Sequence, residues 1–228
     1  IYERYVQIQT KSSIDTKTIK VLNPKEVVFE GGRELELDAV SEVPRYYVYN
    51  AYGVCGIYSA PGTAVKEAYD TSGIVTNDRG VTVWLKGNRV SRNQIMAIKE
   101  ESVTEQKNSL AVCLDNILRH AGITRNTEYD LAQGKTATTI LSENMTGVQV
   151  LDLSGCTLDA VLYYVNQDIP VLAILDDGEA VLVTGFNEFN VVIMEPSTGK
   201  LYKKGMNDAT AWFAENGNHF VTYMRVEN

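Results

Sequence analysis

The chain has 228 residues, 44% hydrophobic and 22% charged, the balance of an ordinary globular protein long enough for two domains. A formal net charge of -8 excludes affinity built on neutralising phosphates, which needs clustered Lys and Arg, so no nucleic-acid partner is expected. No apolar run approaches the roughly 18 residues that would cross a bilayer, so no membrane span is expected either.

The chain begins at Ile1 rather than Met, and the expectation is that an upstream segment, such as a signal or anchor, has been removed. From Tyr5 to about Val40 the pattern is β-like, with "YVQIQT", "TIKVL", "EVVFE" and "LELDAV" alternating or β-branched. Gly31-Gly32 in "FEGGREL" predicts a tight hairpin turn. "RYYVYNAYGVCGIYS" predicts two strands around Gly53. "SAPGTAVKEAYDTSG" predicts a helix with Ser59 as N-cap, Pro61 in its first turn and Gly73 as terminator. "GIVTNDRGVTVWL" predicts a hairpin turning at Asp78-Arg79-Gly80. Residues 1–98 are therefore expected to form a small β-rich α+β domain.

The polar run "KEESVTEQKN", residues 99–108, is the expected linker to a second domain spanning 99–228. Leu110, Cys113, Leu114, Ile117, Leu118 and Ala121 then recur at helical spacing, and Gly122 closes the pattern. Further helices are expected over "TEYDLAQ", over "TATTILSENM" ending at Gly147, and over "TLDAVLYYVNQ". "VQVLDLS", "PVLAILD", "EAVLVTGFN" and "NVVIMEP" read as strands, and His219 sits in a final strand. Helices followed by consecutive antiparallel strands define an α+β class.

This order and several of its words resemble the papain-like double-glycine (bacteriocin-processing) cysteine peptidase family over residues 103–226. "CLDNILRHAGI" is similar to the family's first helix, and "PVLAILDDGEAVLVTGFNEFNVVIMEPSTGK" to its "GHAVVVTGY" and "Asp-Pro" strand pair. The resemblance implies a papain-like fold. Laying "NSLAVCLDNIL" over the "DCGPACLAMVL" pattern puts Ser109 at the nucleophile, Asn108 at the Asp before it, and Cys113 at a later position. Glu179 falls at the general-base histidine and Glu195 at the acid that orients it. Gln106 corresponds to the oxyanion-hole glutamine.

Papain-type chemistry needs a thiolate held beside an imidazole at a helix N-terminus. A serine beside a carboxylate lacks a base able to take its proton, and two carboxylates would repel the oxyanion of acyl transfer. The expected function is therefore that of a pseudo-enzyme, a peptidase-like protein that binds a peptide or protein partner or acts as a scaffold. The alternative is an active hydrolase with a rearranged centre, using Ser109 or Cys113 as nucleophile. Cys113 and His120 are seven apart on one helix, roughly 10 Å, too far for a proton transfer. Cys113 also lies in the apolar stripe, where free cysteine commonly packs as a small hydrophobe.

Other features have plainer readings. Asp176-Asp177-Gly178 suits a turn between strands rather than a carboxylate pair for acid chemistry. "GKTAT" fails as a phosphate loop because Tyr129 stands where the first glycine is required. The three cysteines, 55, 113 and 156, lack metal-ligand spacing and are expected as free thiols, with no metal or cofactor. The Tyr-rich stretch 45–58 offers an edge to which an extended peptide could add. Free thiols fit a reducing cytoplasm as well as a secreted bacterial protein that makes little use of disulfides, and of the two a bacterial extracytoplasmic or surface location is favoured.

Overall fold

The computed structural model describes four strands between residues 8 and 29, together with residues 44–87 and 108–226. The chain divides into two compact units between Val43 and Pro44. The first unit carries two antiparallel hairpins. In one, β1 (Ile8–Thr10) pairs with β2 (Ser13–Asp15); in the other, β3 (Ile19–Asn23) pairs with β4 (Glu26–Phe29). The expected turn at Gly31-Gly32, the strand "LELDAV" and all of the linker but Asn108 lie outside the described residues.

The second unit opens with a four-stranded antiparallel sheet made of β5 (Tyr46–Asn50), β6 (Gly53–Tyr58), β7 (Ile74–Asn77) and β8 (Thr82–Leu85), in the order β6-β5-β7-β8. Helix α1 (Pro61–Thr71) connects β6 to β7. Ser59 does not cap α1. The N-cap is Ala60, with no side-chain bond, and Pro61 supplies the helical φ where no amide partner is needed. At the other end Ser72 turns left-handed, at φ 54°, and the Gly73 N–H closes onto Ala68 O at 2.7 Å. Gly73 is fixed by space, since a Cβ there would lie 2.5 Å from Tyr49 O. In the hairpin at 78–80, Asn77 Oδ1 accepts from the amides of Arg79 and Val81, an Asx turn.

Alternation gives this sheet two unlike faces. Tyr46, Val48, Val75 and Trp84 point inward and are buried. Across the other face, paired residues Val54, Tyr49, Ile74 and Leu85 form an apolar row left 54%, 37%, 44% and 38% exposed.

Next come α2 (Ser109–His120), α3 (Glu128–Ala132), α4 (Ala137–Asn144), β9 (Val148–Asp152) and α5 (Leu158–Asn166). The chain finishes with β10 (Val171–Ile174), β11 (Ala180–Phe186), β12 (Asn190–Glu195), β13 (Lys200–Gly205), α6 (Met206–Glu215) and β14 (His219–Arg225). Strands β9 to β14 form one antiparallel sheet in the order β13-β12-β11-β10-β14-β9. Every residue of β11 is buried, and α2 and α5 both pack on it. The architecture is α+β.

Three expectations need correction. Helix α4 stops at Asn144, before Gly147, because Met145 is already extended. Strand β13 and helix α6 were not foreseen; "KLYKKG" hides its alternation behind lysines, as edge strands commonly do. The boundary expected at residue 98 also falls elsewhere. The inner face of the four-stranded sheet packs against elements beyond residue 148, so residues 44–87 belong to the same compact unit as 108–226.

Polar bonds at that contact are specific. The Trp84 indole N–H donates to Ala160 O at 3.0 Å, and the buried Tyr164 hydroxyl donates to Val83 O at 3.1 Å. Asn77 Nδ2 donates to Gln149 Oε1 at 3.1 Å, and Gln149 Nε2 to the Tyr46 hydroxyl at 2.9 Å. The Cys156 thiol donates to Gly62 O at 3.3 Å.

A chain running from 44 to 228 should unfold in one transition by fluorescence and circular dichroism. A chain starting at residue 99 should fail to give a cooperative transition, since it loses the partners of α5. Trp84→Ala should cost about 3–5 kcal/mol in denaturant unfolding, the range for deleting a large buried aromatic.

The loop around α3 carries an ion cluster. Asp130, its side chain 6% exposed, meets Lys135 at 3.2 Å and Arg125 at 3.3 Å, and Lys135 also meets Glu143 at 2.7 Å. Lys135, helped by Arg125, holds the Asp130 carboxyl below the usual aspartate range despite its burial. A depressed folded pKa stabilises above the unfolded value of about 4, and that contribution disappears as pH falls through the folded value. Asp130→Asn should therefore lower stability at pH 7 and flatten its decline below about pH 4, measured by urea unfolding across pH.

Candidate active site

The N-terminus of α2 carries the residues that sequence matching put at the nucleophile position. Asn108 caps the helix, its Oδ1 accepting from Leu110 N at 2.9 Å and Ala111 N at 3.3 Å. Ser109 is the first helical residue and half-buried. Its Oγ accepts the amide N–H of Ala180, the first residue of β11, at 2.9 Å. Strand β12 pairs with β11 only as far as Met194 with Leu182, so the Ala180 amide lies past that ladder and takes the hydroxyl instead. The fold thus brings residue 109 and the start of β11 together, although 71 positions separate them.

Glu179 immediately precedes that strand and is exposed. Its backbone closes the β10–β11 turn: Leu175 N donates to Glu179 O at 2.7 Å, and Glu179 N donates to Asp177 Oδ1 at 3.0 Å. Asp176-Asp177-Gly178 accordingly forms a turn, with Gly178 at φ 84°.

Glu195 ends β12 and is tied into the next hairpin, where its Oε2 accepts from the Thr198 hydroxyl at 3.0 Å. Among the described residues no hydrogen bond joins Glu195 to Glu179 or Ser109. Gln106 lies outside the described residues.

Cys113 is one turn further along α2 and has no exposed surface. Burial first, and then the charge of Glu179, push its thiol well above the ordinary value. Cys156 is likewise pushed up, to about 12, mainly by burial. Neither thiol has the electropositive, accessible surroundings that make a nucleophile.

Each histidine is engaged elsewhere. His120 ends α2, and its Nε2 lies 2.6 Å from Asp168 O. A carbonyl oxygen only accepts, so Nε2 carries the proton; Nδ1 is buried with no hydrogen-bond partner. His219 starts β14, two strands from β11, with Nε2 3.8 Å from Asp176 Oδ1. Among the described residues neither ring bonds the Ser109 hydroxyl, and no group of three His, Cys, Asp or Glu side chains is placed to hold a metal ion.

A helix N-terminus set against the first residue of a buried central strand, in an α+β frame with an antiparallel sheet, is the layout of a peptidase-like fold. A crystal structure from Bacillus anthracis, described as a candidate C39-like peptidase, aligns with 61% of this chain and 100% of its own, at a TM-score of 0.51 and 13% identity. The likeness shows the fold. No protein-family model and no curated protein sequence matches the chain.

The bond from the Ala180 amide to Ser109 could not be read from the sequence, because a backbone amide carries no residue signature. Ser109→Ala should leave the Ala180 N–H unsatisfied and cost about 1–2 kcal/mol, with faster amide exchange at Ala180. With a thiol reagent at pH 7, exposed Cys55 should label at once, and Cys113 and Cys156 only at the rate of unfolding.

Proposed function

We propose that this chain is a peptidase-like protein without hydrolytic activity, which binds a peptide or protein partner or serves as a scaffold. The observation that carries the reading is the state of Ser109: its oxygen is engaged by the Ala180 amide, and the side chain next to that amide's strand start is a carboxylate. A hydroxyl is a poor nucleophile unless a base takes its proton, and an imidazole is the usual base. Glu179 would instead bring negative charge to where an oxyanion must develop, opposing acyl transfer. The enclosed, protonated Cys113 supports the same reading, since a thiolate is what attacks.

Partner binding is supported by β6. It is an edge strand of its sheet, its sequence "GVCGIY" carries no charge and no proline, and Val54 and Ile57 are 54% and 58% exposed. Edge strands that lack charge and proline are open to pairing with an extended peptide.

The protein incubated with a mixture of proteome-derived peptides should give no cleavage above the no-protein control by mass spectrometry. Turnover that disappears in Ser109→Ala or Cys113→Ala would name that residue as a nucleophile and return the chain to the hydrolases.

A further inference from the structure

A cleft of about 510 Å³ opens at the far end of α2 from Ser109, lined by residues that include Ala121, Ile123, Met145, Val148, Tyr223 and Arg225. The volume lies within the range of small-ligand sites, roughly 300–1,000 Å³. The twelve residues of α2 separate it from Ser109 by about 18 Å, so it is a different place from the candidate active site and does not rest on the reading given there.

Its chemistry is two-sided. Ala121, Ile123, Met145 and Val148 supply an apolar wall. Tyr223 and Arg225 lie on one face of β14, two positions apart, and both border the cleft. Tyr223 is buried, 1% exposed. Burial lifts its pKa to about 12, so it remains a donor throughout the neutral range. The Arg225 guanidinium is exposed and has no carboxylate partner among the described residues. Asp168 is near enough to act on Tyr223 but does not line the cleft.

We infer that this cleft binds a small monocarboxylate with an apolar body, its carboxylate held by Arg225 and the Tyr223 hydroxyl and its hydrocarbon part against Ile123, Met145 and Val148. A guanidinium and a phenol are both donors, so they select an acceptor-only anion over a cation or a neutral amide. The apolar wall selects against inorganic anions. A fatty acid and the C-terminal residue of a peptide share this chemistry.

The test is calorimetric titration of the full chain with octanoate, octan-1-ol, and N-acetyl-Leu-Leu as its free acid and its amide. Octanoate or the dipeptide acid should bind one per chain. Its uncharged counterpart should bind at least about tenfold more weakly, Arg225→Gln should weaken the acid about tenfold, and Tyr223→Phe several-fold. The better of the two acids identifies the source as lipid or peptide terminus. Neither acid binding up to about 10 mM would overturn the inference, as would equal binding of acid and uncharged counterpart or affinity unchanged by Arg225→Gln. Because Arg225 is exposed, its variant should unfold at the wild-type temperature, which separates loss of binding from loss of fold.

Discussion

The compact unit depends on α5 being covered from the side of the four-stranded sheet. Six of the nine residues of this helix are buried, so it is apolar nearly all round and cannot lie on the surface of the six-stranded sheet alone. The second layer is drawn from earlier in the chain: Trp84 and Val83 reach α5, while Tyr46 and Asn77 reach β9 through Gln149. Burial demands those contacts, and hydrogen bonding sets their register. A buried phenol and a buried indole each need a partner, and the backbone oxygens of Val83 and Ala160 meet that need. Once α5 is fixed, the strand β11 on which it packs also receives α2, and residue 109 arrives at the start of β11.

The second half of the chain was legible because its elements are strongly periodic. The stripe through Leu110, Cys113, Leu114, Ile117 and Leu118 is the buried face of α2, and β10 to β12 fall where their apolar runs lie. The peptidase-like α+β fold could be read from the same words. What could not be read was the partition of the chain. A polar stretch looks like a linker from composition alone, whereas the bonds between Trp84 and Ala160 and between Tyr164 and Val83 span 76 and 81 positions and leave no local trace. Strand β13 and helix α6 escaped for a related reason: β13 has no fully buried residue, and α6 buries only Ala209 and Phe213.

At the site, sequence named a side chain and the fold named its use. Ser109 reads as a weakened nucleophile in the linear pattern, but in three dimensions its oxygen terminates a strand, satisfying an amide that β12 does not reach. A serine at the start of α2 can thus hold helix and sheet together. The carboxylate at 179 is exposed. Its charge reaches the buried Cys113 and makes that thiol still less acidic.

The way the chain enters this unit has a mechanical side. After Pro44 it runs directly into β5, which is held on one side by β6 and on the other by β7. A pull on residue 44 along the strand axis therefore strains two ladders together instead of peeling one. Through Tyr46, Gln149 and Asn77 part of that load passes to β9, at the border of the larger sheet. Tethering at this end would tug on a strand clamped on both sides, so the force needed to free it exceeds what an edge strand would resist.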